Sequence, residues 1–212
     1  METLDIDGKS VKLHVGDITG DETQLAIRLG NVGWDIETSG LNWREETIGT
    51  CQLNIGDVET VIVRVTDQQP RYLCDLLCEK RVRKIFHHAM FDLRFMSHRW
   101  SVVADNVACT KIASKLLDAD NKRDHSLKSL LQAYLGVNID KSERLSNWNS
   151  SELTEGQILY AAKDVMYLPS LLDRLEDDLE KAGLLELSRL CFAHIPTRVQ
   201  LDILGYQDLY EY

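Results

Sequence analysis

The sequence predicts an α/β fold in which a mixed central sheet is flanked by helices and the carboxyl-terminal third is helical. Three observations carry that reading. The chain opens on short runs of β-type residues, alternates strand-like and helix-like segments through its middle, and from Thr154 onward reads as almost continuous helix. Its 212 residues, 44% of them hydrophobic, can bury a substantial core, and that length argues for one domain over 1–212. The only prolines are Pro70, Pro169 and Pro196, and no Gly/Ser-rich or repeated stretch offers a linker.

Taken in order, the alternating runs 4–6 and 11–15, joined by Asp7-Gly8-Lys9-Ser10, read as a peripheral hairpin. A short amphipathic helix around 22–29 leads into strands at 32–37, 50–55 and 60–65, the last two turning at Gly56-Asp57. Next come a helix near 72–78, a short strand at 84–87, a helix over 92–98, a strand near 101–106, and helices at 110–117 and 126–135. Within the helical tail, breaks are expected near Pro169, Gly183 and Pro196.

A formal net charge of -10 speaks against extended duplex binding, where Lys and Arg must neutralise many phosphates. A short substrate gripped through metal ions needs fewer such contacts, and the ligating carboxylates themselves make a chain acidic. One locally basic stretch runs from Lys80 through Arg81, Arg83, Lys84, His87, His88 and Arg94 to Arg99, and it fits either phosphate contact or an ordinary solvated helix face. The acidic amino terminus has no apolar run of signal-peptide or membrane-spanning length, which predicts a cytoplasmic protein with no membrane span. Five scattered cysteines, Cys51, Cys74, Cys78, Cys109 and Cys191, fit reduced thiols, and Cys74 with Cys78 lacks the further ligands of a zinc site.

Three segments carry chemistry. In Trp34-Asp35-Ile36-Glu37-Thr38-Ser39-Gly40-Leu41, strand alternation sends the Asp35 and Glu37 carboxylates to one face, where they repel unless a cation neutralises them. Oxygen ligands suit hard ions such as Mg²⁺ or Mn²⁺, although a strand end reaching solvent also explains the pair. In Lys84-Ile85-Phe86-His87-His88-Ala89-Met90-Phe91-Asp92 a strand gives way to a helix, and Asp92 stands where a capping residue belongs. In Tyr160-Ala161-Ala162-Lys163-Asp164 the phenol and carboxylate share a helix face one turn apart, an arrangement that a core tyrosine beside a solvated aspartate would also give.

In that order, acid-x-acid on a strand, acid at a helix start and Tyr-x-x-x-Asp on a late helix, the chain resembles the DEDDy family of 3′-to-5′ exonucleases. That family contains ribonuclease D and the proofreading domains of DNA polymerases, and the resemblance implies a ribonuclease H-like fold. Cys109-Thr110-Lys111-Ile112-Ala113-Ser114, Asp124-His125-Ser126-Leu127-Lys128 and Cys191-Phe192-Ala193-His194-Ile195-Pro196-Thr197-Arg198 look like its NrnC subgroup, the bacterial nanoRNases. The likeness covers residues 32–206 and leaves no length for the extra helical domains of ribonuclease D. Two departures are bulky Trp34 before the first acid and His88 where many members have asparagine.

The resemblance implies that Asp35, Glu37, Asp92 and Asp164 hold two divalent cations, Mg²⁺ or Mn²⁺, with Asp35 bridging them, and that Tyr160 orients the attacking water. It further implies substrate contacts at Thr38, Leu41 and His88, with Leu41 as a wedge between bases, and it places Arg123, His125 and Lys128 near a distant phosphate. The expected partner is short single-stranded RNA, hydrolysed down to dinucleotides, with DNA or ribonuclease D-like trimming as the alternative. A homo-oligomer, in the NrnC case an octameric ring, is implied as well, and the apolar stretch 184–204 fits either such an interface or closure of the chain's own core. A catalytically silent nucleic-acid-binding module is the reading from another class; it predicts a lost carboxylate, whereas all four are present.

Overall fold

The computed structural model describes residues 2–6, 8–140 and 142–209, so Asp7 of the predicted turn lies outside the described residues. The first half comprises β1 (Glu2–Ile6), β2 (Lys9–Val15), α1 (Gly20–Leu29), β3 (Asn31–Thr38), β4 (Ile48–Ile55), β5 (Glu59–Arg64), α2 (Arg71–Cys78), β6 (Arg83–Phe86) and α3 (Ala89–Trp100). The second half holds β7 (Val107–Cys109), α4 (Thr110–Leu116), α5 (Leu127–Leu135), α6 (Glu155–Met166), α7 (Leu168–Lys181) and α8 (Leu185–Leu204). Among these residues one seven-stranded sheet forms in the order β1-β2-β5-β4-β3-β6-β7. It is mixed, with β3 antiparallel to β4 and parallel to β6. The predicted α/β architecture is therefore the observed one.

Alternation along β3 decides where the chemistry can lie. Val32, Trp34 and Ile36 enter the main core, which sends Gly33, Asp35 and Glu37 to the opposite face. Trp34 is fully buried, stacks on Phe86 with ring centroids 6.2 Å apart, and donates its indole N–H to Cys51 Sγ at 2.9 Å. The bulky residue before the first acid thus points away from it. On the acid face, an added Cβ at Gly33 would come within 2.7 Å of the Val165 carbonyl oxygen, so glycine is what lets the end of α6 lie directly on the sheet. A second apolar cluster, including Ile62, Trp148, Ile158, Ala161 and Met166, seats α6 there. Thr154 caps that helix in a capping box with Gln157.

Several expectations need correction. The hairpin is not an appendage: β2 pairs in parallel with β5, and Val11 is fully buried, so it extends the central sheet. The strand expected near 101–106 is irregular, because Ser101 and Asn106 both adopt left-handed backbone (φ 55° and 47°) that no ladder accommodates; the strand begins at Val107. The helix expected over 92–98 begins at Ala89, which puts Asp92 inside its first turn and makes His88 the cap. Near Pro196 no break occurs. Its missing N–H removes one bond from α8, but Phe192, Ile195 and Val199 are buried on one side, and Asp202 pairs with Arg94 at 2.6 Å and Arg198 at 2.7 Å. The opposite side of α8 leaves Leu187 and Leu190 exposed. Among the described residues no helix is long and apolar enough to cross a membrane, and all five cysteines are free thiols.

Candidate active site

The site assembles from three elements. The β3 strand supplies Asp35 and Glu37, α3 supplies Asp92, and α6 supplies Tyr160 and Asp164. Asp35, Glu37 and Asp164 each present an oxygen within 4.8 Å of the others. Asp92 lies behind them, 2% exposed, and accepts the Ile36 backbone N–H at 3.3 Å. Tyr160 is close enough to all three clustered acids to be perturbed by them. The five residues singled out from the sequence therefore converge, although they span 35 to 164 in the chain.

Electrostatics shows what such packing costs. Burial first, and then the Asp92, Glu37 and Asp164 carboxylates, push the Asp35 carboxyl well above the usual carboxylate range, against a 2.8 Å hydrogen bond from the Gln52 side-chain amide. Burial pushes Asp92 up to about 7, opposed by the backbone N–H groups that bond it. A cluster made only of carboxylate oxygens suits a hard divalent cation. Burial, followed by Asp164, Glu37 and Asp35, likewise drives the Tyr160 phenol well above its ordinary value.

Reading the sequence did not single out three supporting groups. Gln52 faces Asp35 directly across β3 and β4, and with Thr50 and Asn54 it forms a wholly buried polar row. Alternating polar residues normally mean a solvated strand face, so the signal was visible and pointed the wrong way. The β3–β4 register shifts after Glu37, leaving Gly49 as the extra residue between Thr50 and Ile48. A Cβ there would meet the Trp148 carbonyl oxygen at 2.4 Å, so the bulge seats the Trp148 loop against β4. The buried Trp148 indole then packs on Tyr160, with ring centroids 5.8 Å apart.

Of the residues expected to touch substrate, Thr38 follows Glu37 at the bulge and donates to the Gly40 carbonyl at 2.6 Å. Leu41 is 82% exposed, and His88 caps α3 one turn before Asp92. Of the three residues placed near a distant phosphate, His125 belongs elsewhere: it is buried, bonded to Ser114 Oγ at 2.7 Å and facing Asp118 at 3.3 Å, and it ties α4 to the loop before α5. Much of the basic stretch is engaged in ion pairs, Arg81 with Glu79, Arg83 with Glu176, Arg94 with Asp202 and Arg99 with Asp67.

Residues 21–180 match the family described as 3′-5′ exonuclease. The chain belongs to that family. The exonuclease is 32% identical to DNA polymerase I of Aquifex aeolicus over 173 residues, 77% of this chain and 28% of that protein. To ribonuclease D of Desulfotalea psychrophila it is 32% identical over 146 residues, 68% of this chain and 38% of that protein, so it spans well under half the length of both relatives. The solved structure of Brucella melitensis NrnC, 32% identical, superposes with a TM-score of 0.87 over 95% of this chain and 98% of that one. That protein has also been solved with bound Mg²⁺ and bound to pGG. The exonuclease is thus of the ribonuclease D and NrnC type, on a ribonuclease H-like fold, and all four DEDD carboxylates and the tyrosine are present in it.

Proposed function

We propose that the exonuclease hydrolyses very short single-stranded RNA from its 3′ end, down to dinucleotides, and releases 5′-mononucleotides. The observation that carries this reading is the convergence of Asp35, Glu37 and Asp164 oxygens within 4.8 Å, with Tyr160 beside them. Asp35, Glu37, Asp92 and Asp164 would hold two divalent cations, Mg²⁺ or Mn²⁺. When bound, such ions lower the pKa of an attacking water and neutralise charge that builds on the scissile phosphate. Gln52 keeps the Asp35 carboxylate in place through its amide. Tyr160, whose phenol stays protonated at neutral pH, orients the water through its hydroxyl and does not abstract its proton. Asp164 lies one helical turn away on the same face and completes the ligand set.

Support for a short substrate comes from the pGG complex of Brucella NrnC, from near-full coverage of that protein, and from the net charge of -10, which disfavours long phosphate tracks. Exposed Leu41, just after Thr38 at the end of β3, fits a wedge that separates the last two bases, with Thr38 at the terminal sugar and His88 as a further nucleotide contact. The match to DNA polymerase I favours a second reading, a DNA or ribonuclease D-like trimming exonuclease. Matched RNA and DNA series of increasing length, from the dinucleotide upward, separate the two in the presence of Mg²⁺ or Mn²⁺. The expected result is a higher kcat/KM on RNAs of a few nucleotides than on long ones; equal or greater rates on long structured RNA, or on DNA, would overturn the short-RNA assignment.

A further inference from the structure

Beyond the acids, the strand register places an arginine on the same face. Glu37 lies directly opposite Thr50 on β4, and Thr50 lies directly opposite Arg64 on β5. Directly opposed residues project to one side, so Arg64 sits two strand spacings, about 10 Å, from the catalytic Glu37. Arg64 lines a cavity of about 440 Å³ that Thr47, Thr66, Arg99, Trp148 and Asn149 also line. Trp148 joins the two places, because it lines this cavity and its indole packs on Tyr160 with ring centroids 5.8 Å apart. Thr47 and Asn149, whose side chains hydrogen-bond at 3.0 Å, form the rim between the bulge and the Trp148 loop.

Two arginines line this cavity: Arg99 pairs with Asp67, whereas among the described residues no carboxylate pairs with Arg64. The cavity's one acid, Asp67, pairs with Arg99 at 3.2 Å and is fully exposed, a pairing worth little in water. In a chain of net charge -10, a half-buried arginine with no carboxylate partner, lining a cavity edged by hydroxyls and an amide, matches a phosphate, whose oxygens accept from all of these donors.

We propose that this cavity binds an internal phosphodiester upstream of the scissile bond, with Arg64 as its principal contact. The inference rests on the exonuclease reading and deepens it: it predicts a contact that chains longer than two nucleotides make and an unphosphorylated dinucleotide cannot. The test compares wild type with Arg64→Gln on an unphosphorylated RNA dinucleotide and on a tetranucleotide. KM for the tetranucleotide should rise about tenfold with kcat held, while the dinucleotide constants stay unchanged. The slope of log affinity against log salt for the tetranucleotide should fall by about 0.7, the value of one lost single-strand phosphate contact. Arg64→Lys should restore part of the loss. Fluorescence anisotropy with the tetranucleotide reads the same contact without turnover, so it decides the Arg64 site even if the wild type cleaves neither RNA, an outcome that would defeat the exonuclease reading instead. Equal affinity of wild type and Arg64→Gln for the tetranucleotide, or equal losses on both lengths, overturns the site.

Discussion

Asp35→Asn should abolish hydrolysis, with a loss of about 1,000-fold or more in kcat/KM, while the protein keeps its fold. The side chain lies at the centre of the acid cluster, where Asp92, Glu37 and Asp164 all act on its carboxyl. Asparagine has the same shape and still offers an oxygen to the Gln52 amide, which now donates to Asp35 at 2.8 Å. What it removes is the charge. Without added cations the variant should melt no lower than wild type at neutral pH, because one of several mutually repelling groups has gone. Steady-state rates on a short RNA and a melting curve check both halves; undiminished turnover would remove Asp35 from the machinery.

The second large effect is at Tyr160. Tyr160→Phe should lower kcat about 100-fold and leave KM nearly unchanged, the pattern of a group that acts mainly in the transition state. Burial is the leading cause of its raised pKa and the neighbouring acids come second; bound cations would offset the second cause and leave the first. The phenol is therefore a hydroxyl that orients, and the pH profile of the wild type should show no limb that Tyr160→Phe removes. Loss of such a limb, or an unchanged kcat, would contradict the role. Packing of Trp148 on the Tyr160 ring keeps phenylalanine in the same place, so the change isolates the hydroxyl.

Much of this was legible in the chain itself. Period-two alternation gave the face of Asp35 and Glu37, and the four-residue spacing gave the shared face of Tyr160 and Asp164, because both periods are set by backbone geometry alone. Other features depend on tertiary context. Thr50, Gln52 and Asn54 alternate like a solvated edge but are buried beneath α6, which the pattern on one strand cannot reveal. Pro196 signals a helix end, yet burial of Phe192, Ile195 and Val199 carries α8 through it. Asp92 looked like a cap because it follows a strand; the helix starts a turn earlier, and the carboxylate is turned inward to the Ile36 amide. The roles of Gly33 and Gly49 emerge only where another backbone arrives within a Cβ's reach.

Cation binding in the acid cluster is the claim on which the rest depends, and thermal melting with and without Mg²⁺ or Mn²⁺ across pH tests it most directly. Asp35 and Asp92 are raised above the ordinary value of 3.8, so their protonated forms favour the fold. Without cations, their contribution should weaken as pH rises from 3.8 through about 7, the value to which Asp92 is pushed. A divalent ion replaces those protons. The predicted result is a melting temperature that hardly responds to the metal at about pH 5, rises clearly with it at about pH 8, and loses that rise in Asp35→Asn. A midpoint indifferent to both ions at high pH, or an equal rise in the variant, would contradict the account.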